Sequence, residues 1–299
     1  MSELVFKNWK ARASSIGKLM GSLNKITQNQ LDELRKLEER VLESMNNPKL
    51  ALTENMRIKL GELKAKRDAP DELSKGAKSY LDEVFRDLFW KRKRFLANKY
   101  LEKGNFQEQN ALDLLSKVDN AFYSKNDEYF ENEYVCGTPD NVDKIVRDTK
   151  CSFDLESFEN SDITTLYESQ IKAYCWLTNL NKGQLVYCCV NNPVHQILNE
   201  KTRMFYQAGN PDDDNESWIK AIQQLERNMV FDIKEFQEEF PHYVFQSKIL
   251  DFTIPPQFRV KKFDIELYPE DIDEMKLVVM LARKYLCEKE IEIYEKNKN

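Results

Sequence analysis

Glycine is scarce. The 299 residues contain eight, at positions 17, 21, 61, 76, 104, 137, 183 and 209, and none are spaced as a dinucleotide fingerprint or a P-loop, which excludes glycine-cradled nucleotide chemistry. Histidine is scarcer still, with only His195 and His242. Histidine-rich zinc sites, HExxH proteases and most histidine-metal nucleases are thereby excluded, and a metal in this chain would be held mainly by carboxylates. The six cysteines, at 136, 151, 175, 188, 189 and 287, form no CxxC pair. Reduced, largely buried thiols fit this pattern; a disulfide framework, a zinc ribbon and a four-cysteine iron-sulfur cluster do not. No stretch approaches the roughly 18 apolar residues of a membrane span, and the opening MSELVFKNWK lacks the apolar core of a signal peptide. A cytoplasmic protein with no membrane partner is expected.

What is present is a soluble, globular composition, 41% hydrophobic and 32% charged, with a net charge of −6. The charge is uneven. Residues 1–110 carry 23 Lys and Arg against 16 Asp and Glu, while the remainder carries 22 against 35. A basic first third on an acidic protein can bind phosphate locally, although solvated helix faces account for the same numbers.

Leu31, Leu34, Glu38, Val41 and Met45 follow heptad-like spacing, and after Asn46-Asn47-Pro48 a second run puts Met56, Leu60 and Leu63 on one face. A helical hairpin over 28–67 is predicted. Asp68-Ala69-Pro70-Asp71 breaks it, and a third helix is expected from Ser74 to Ala97, containing Trp90 and the densest basic cluster, Lys91-Arg92-Lys93-Arg94. A further helix over 102–120 has Leu101, Ala111, Leu112, Leu115 and Val118 as its apolar stripe. Then the pattern changes. Glu128 to Cys136 and Val142 to Ser152 are rich in β-branched and aromatic residues and flank the turn signature Gly137-Thr138-Pro139-Asp140-Asn141, predicting two strands. A helix at 165–180 and an apolar strand at 185–190 follow, an order that implies an α/β core with a mixed sheet. Helices at 193–208 and 215–229, a strand at 259–266 and a long charged helix from Pro269 complete the reading.

Asp148-Thr149-Lys150 means little alone, because acid-x-Lys recurs at Glu62-Lys64, Asp232-Lys234 and Glu274-Lys276. Its strand setting is what matters. Residues i and i+2 of a strand share a face, so Asp148 and Lys150 project together with Val146, while Thr149 and Cys151 face the other way. Asp140 sits in the turn feeding this strand. Glu108, three and four residues before Ala111 and Leu112, is expected to face the core-directed side of its helix. A carboxylate there needs a cation or strong donors, and hard oxygens from Glu108, Asp140 and Asp148 suit Mg²⁺ or Mn²⁺. Gln170 and Tyr174 share a helix face at i and i+4. Each residue also has an ordinary reading: Asp140 as a turn former, Lys150 as an exposed strand lysine, Glu108 in a salt bridge, Gln170 and Tyr174 as polar decoration.

Taken together, Leu101-Glu-Lys-Gly104-Asn-Phe-Gln-Glu108, Gly137-Thr-Pro-Asp140, Asp148-Thr-Lys150-Cys151-Ser-Phe and Tyr167-Glu-Ser-Gln170-Ile-Lys-Ala-Tyr174-Cys-Trp176-Leu-Thr178 resemble the lambda-type phage exonucleases, viral recombination nucleases of the PD-(D/E)xK superfamily. The resemblance covers residues 98–192, with all four superfamily motifs in order. The chain departs from it in two places: Asp148 stands where the family more often has Glu, and the hairpin at 28–67 and the tail after 210 have no counterpart.

The resemblance implies a restriction-endonuclease-like core, a mixed sheet flanked by helices, at 98–210. A helical N-terminal region at 1–97 and a C-terminal extension at 211–299 would complete the chain. It implies a deoxyribonuclease whose metals are held by Glu108, Asp140, Asp148 and the carbonyl of Thr149, with Lys150 acting on the nucleophile and Gln170 and Tyr174 positioning DNA or the ligand strand. Arg12, Ser14, Ser15 and Thr138 would hold a DNA phosphate. Ends of double-stranded DNA would be digested 5′ to 3′ by a ring-shaped homo-oligomer, leaving a 3′ strand for a single-strand annealing protein in the cytoplasm of a bacterial host cell. The motifs specify bond cleavage and not end dependence, so an endonuclease on the same fold remains an alternative, as does a non-catalytic DNA-binding protein that kept the fold.

Overall fold

The computed structural model describes all residues except 1–3, 21–25, 27, 48, 50, 70, 94–98, 248–251 and 297–299. Of the residues singled out above, Gly21, Pro48, Pro70, Arg94 and the side chain of Leu101 lie outside the description, as does the expected end of the third helix at 94–97. The chain forms two compact units. One comprises Met1–Trp9, Lys18–Lys93 and Glu274–Asn299, the other Lys10–Gly17 and Arg94–Asp273. The boundaries differ from those expected from sequence because the end of the chain joins the first unit and a short N-terminal strand joins the second.

In the first unit the predicted hairpin is present as α2 (Gln28–Asn46) and α3 (Glu54–Asp68), the latter capped by the Thr53 hydroxyl, which accepts from the Met56 N–H. Leu34, Leu37, Leu52 and Leu63 close its interior. Ser74 caps α4 (Lys75–Leu88), which ends nine residues before the predicted limit of 97. Most of the last helix, α11 (Pro269–Lys296), belongs to this unit. Its buried Glu290 accepts the N–H groups of Val5 and Phe6, and its Lys289 pairs with Asp82 of α4.

The second unit contains β1 (Ala11–Arg12), α1 (Ala13–Ile16), α5 (Lys99–Asp119), β2 (Phe130–Glu131), β3 (Val135–Gly137), β4 (Asn141–Val142), β5 (Val146–Cys151), α6 (Leu155–Glu159), α7 (Thr165–Thr178) and β6 (Lys182–Cys188). It continues with α8 (Val194–Gln207), α9 (Glu216–Met229), α10 (Ile233–Glu239) and β7 (Val260–Glu266). The expected mixed sheet is present in the order β4-β5-β6-β7, with β5 and β6 parallel and both outer pairs antiparallel. Parallel neighbours need a crossover, and α7 provides it. Ala111, Leu114 and Leu115 of α5 pack on Val186 and Cys188 of β6. Gly183 lets α7 approach closely: a Cβ there would lie 2.3 Å from Ile171 Cγ2 and 2.9 Å from Cys175 Sγ.

Two strand expectations change. The run from Glu128 to Cys136 is two short strands, and they belong to a separate sheet of order β1-β3-β2. Asn132 interrupts it, because its side-chain oxygen accepts the N–H groups of Tyr134 and Val135 and turns the backbone where a strand would have run on. The antiparallel partner of β5 is therefore the two-residue β4, with Asn141 opposite Arg147. Helix α10 was not predicted, although Asp232 caps it through the Glu235 N–H, and Ile233 and Phe236 bury its apolar side. Among the described residues no helix is long and apolar enough to cross a membrane.

Candidate functional site

Strand β5 is the spine of the site. Asp148 is 2% exposed, and its Oδ1 accepts a hydrogen bond of 3.0 Å from Gln170 Nε2 on α7. The Lys150 ammonium stands against Asp148 Oδ2, as the shared strand face requires. Gln170 Nε2 also lies 3.4 Å from the Tyr174 hydroxyl one turn along α7. Tyr174 reaches this position over Gly137 of β3, where a Cβ would come within 2.8 Å of the ring.

Asp140 closes the opposite side. Its Oδ2 accepts both the backbone N–H (2.7 Å) and the hydroxyl (2.9 Å) of Thr149. Its turn is pinned by Asn126, whose N–H donates to the Asp140 carbonyl at 2.7 Å and whose side-chain amide donates to the Pro139 carbonyl at 3.0 Å. Behind the strand the fully buried Lys103 of α5 donates to the carbonyls of Ser152 (2.5 Å) and Phe153 (3.4 Å). Desolvation lowers the Lys103 amine to about 8.

Glu108, Asp140 and Asp148 line one cleft of about 560 Å³ together with Ser14, Thr149, Lys150, Gln170 and Tyr174. Burial and then the like charges of Asp148 and Glu108 push the Asp140 carboxyl up to about 7, against the pull of Lys150 and the Thr149 N–H. For Lys150, burial disfavours the ammonium, but Asp148 and Asp140 outweigh it, so the group stays charged well above the ordinary lysine range. Burial and the charges of Asp148 and Asp140 raise the Tyr174 hydroxyl, which keeps its proton as a donor.

Three placements differ from expectation. The Glu108 side chain is 26% exposed and pairs with Lys125 at 3.2 Å, so it does not face the core as an uncompensated charge. Ala111 and Leu112 are buried as predicted, while Glu108 sits at the edge of their stripe, where the helix meets the cleft. Of the phosphate-binding candidates only Ser14 lines the cleft; Arg12 and Thr138 are exposed and Ser15 is half-buried on α1. Among the described residues no three His, Cys, Asp or Glu side chains form a ready-made metal cluster. The donor set nevertheless suits a hard cation, because Glu108, Asp140 and Asp148 bring three carboxylates to one cleft in which Lys150 stands against Asp148, and burial together with the like charges of Asp148 and Glu108 raises Asp140.

Sequence reasoning missed Tyr167, which also lines the cleft and holds its ring 5.0 Å from Lys150 Nζ. Its signal was available, since it lies three and seven residues before Gln170 and Tyr174 on the same helix face. Lys125, seventeen residues from Glu108, had no local signal.

A mixed four-stranded sheet carrying an acid-x-Lys strand, with a second carboxylate in the preceding turn and a third on the helix before it, defines the architectural class of this chain. Over nearly its whole length it has the fold of a phage related exonuclease from Haemophilus somnus 129PT, with 20% sequence identity, 96% of this chain and 97% of that chain covered, and a TM-score of 0.59. More distant likenesses are to an alkaline exonuclease (LHK-Exo) from Laribacter hongkongensis (12% identity, 75% and 86% covered, TM-score 0.45) and to LHK-Exo in complex with dAMP (11% identity, 98% and 94% covered, TM-score 0.47). The fold assignment rests on the first. No protein-family model and no curated protein matches the chain.

Proposed function

We propose that the protein is a metal-dependent deoxyribonuclease with a PD-(D/E)xK core, acting as an exonuclease on linear double-stranded DNA. The observation that carries this reading is the cleft in which Asp148 and Lys150 of β5 meet Asp140 and Glu108. It is supported by the motif resemblance and by the fold shared with a protein described as a phage related exonuclease.

Glu108, Asp140, Asp148 and the Thr149 carbonyl would hold Mg²⁺ or Mn²⁺, which would acidify the attacking water and stabilise the leaving oxygen. The chain's own groups do the positioning. Gln170 fixes the Asp148 carboxylate from one side, and Thr149 fixes Asp140 from the other. Lys150 stays charged, so it can orient the nucleophile and offset charge developing on the phosphate. Tyr174 and Ser14 offer hydroxyl donors to a strand lying in the cleft. Digestion 5′ to 3′, a ring-shaped homo-oligomer and a single-strand annealing partner in a bacterial cytoplasm complete the proposal.

A linear duplex labelled at either the 5′ or the 3′ end, incubated with and without Mg²⁺ beside a covalently closed circle, tests it. Metal-dependent release of the 5′ label with the circle spared is the expected result. Cutting of the circle would assign an endonuclease on this fold, and no cleavage of any substrate with either metal would leave a DNA-binding protein.

A further inference from the structure

The cluster at the end of α4 plays no part in the cleft chemistry. Trp90 is 50% exposed, and the next three residues, Lys91, Arg92 and Lys93, are exposed cations that form no ion pair among the described residues. The indole stands at the end of a row of ring contacts. Phe6 stacks on Phe85 (centroids 5.1 Å apart), Phe85 on Phe89 (4.8 Å), and Trp90 meets Phe89 edge-on at 4.7 Å and 89°. An aromatic ladder thus runs from the interior of this unit to the surface and ends in one face of tryptophan. The cations are held close by: Lys91 adopts a left-handed φ of 54°, and the Arg92 N–H closes back on the Arg86 carbonyl at 3.1 Å.

The helix dipole favours cations at the end of α4, but it explains neither three consecutive ones, which repel each other, nor an indole braced in water at the cost of exposed apolar area. A flat aromatic face beside unpaired cations matches the two halves of a nucleotide, a base that stacks and a phosphate that pairs. We propose that Trp90, Lys91, Arg92 and Lys93 form a docking platform for single-stranded nucleic acid. That the strand is DNA rests on the nuclease reading; the platform itself does not.

Fluorescence anisotropy of a labelled 15-mer oligodeoxythymidine, titrated with the full chain in EDTA, tests this without any cleavage. Stacking of one base predicts that Trp90→Ala weakens binding about tenfold, whereas Trp90→Phe, which keeps an aromatic face, retains most of the affinity. Joint replacement of Lys91, Arg92 and Lys93 by Ala should lower the slope of log affinity against log salt by about two. Far-UV circular dichroism melts establish that the variants fold. Absence of binding by the unmutated chain, or unchanged affinity and slope in the variants, would overturn the platform. Tighter binding to phosphatidylserine vesicles, weakened by the same substitutions, would overturn its assignment to nucleic acid. Failure to digest a linear duplex on adding Mg²⁺, with oligonucleotide binding intact, would sink the nuclease reading and leave the platform standing.

Discussion

Gln170 on α7 and Asp148 on β5, twenty-two residues apart in sequence, share a buried hydrogen bond of 3.0 Å that fixes which way the carboxylate faces. Asp148 Oδ1 is thereby matched, while Oδ2 is left to the cleft and to Lys150. Gln170→Ala would leave a buried carboxylate oxygen without its donor, a loss of about 1–3 kcal/mol. Urea denaturation should show that cost, and cleavage should fall because the carboxylate is free to rotate. Full stability in Gln170→Ala would mean that the bond is incidental.

The two aspartates should respond oppositely to loss of charge. Asp140 has its folded pKa raised to about 7. A raised pKa means that its stability contribution is fully present below the ordinary carboxylate range and is lost as pH rises to about 7. Asp140→Asn removes that penalty and should stabilise the metal-free protein at pH 8 by on the order of 1–3 kcal/mol. Asp148→Asn strands the Lys150 ammonium and should destabilise it by a similar amount. Both should abolish divalent-metal binding in calorimetry, and unchanged Mg²⁺ or Mn²⁺ affinity in both would eliminate this site.

Lys150 acts on the reacting groups in the proposed mechanism, so Lys150→Ala should reduce cleavage about 10²–10³-fold with little change in DNA affinity. Equal losses of rate and binding would reassign Lys150 to gripping phosphate.

End recognition is testable through Ser14 and Arg12. Ser14 lines the cleft; Arg12 does not, but it is exposed at the start of the same short helix and carries the planar guanidinium that suits a terminal phosphate. A 5′-phosphorylated duplex should be digested faster than a 5′-hydroxyl duplex, and Arg12→Ala should erase the difference without altering metal binding. Ser14→Ala should narrow it. Equal rates on both ends in the unmutated protein would remove the phosphate pocket from the account.

The strand–turn–helix order and the pairing of Asp148 with Lys150 were legible because alternation along a strand and the i, i+4 repeat of a helix are local rules. Gln170 beside Tyr174 followed from the same rule. Where a distant group decides, the sequence is silent. Lys125 neutralises Glu108 across seventeen residues, and Lys103 is buried with its ammonium on the carbonyls of Ser152 and Phe153, forty-nine and fifty residues on; the break at Asn132, by contrast, is local, its side chain accepting the N–H groups two and three residues ahead. The separation of Arg12, Ser15 and Thr138 from the cleft likewise depends on how α1 and the turn are set, which spacing does not encode.

The three acidic groups of the cleft are held with very different firmness. Asp148 is tied to a helix and Asp140 to the strand backbone, both through sheltered hydrogen bonds, whereas the counter-ion of Glu108 among the described residues is a solvent-exposed lysine. Such a contact is weak and screened by salt. The cleft therefore resembles a vice with one fixed jaw and one sliding jaw. In the proposed mechanism Asp148 and Asp140 would define where an incoming charge sits, and Glu108 would be the ligand that gives up a counter-ion, Lys125, to meet it.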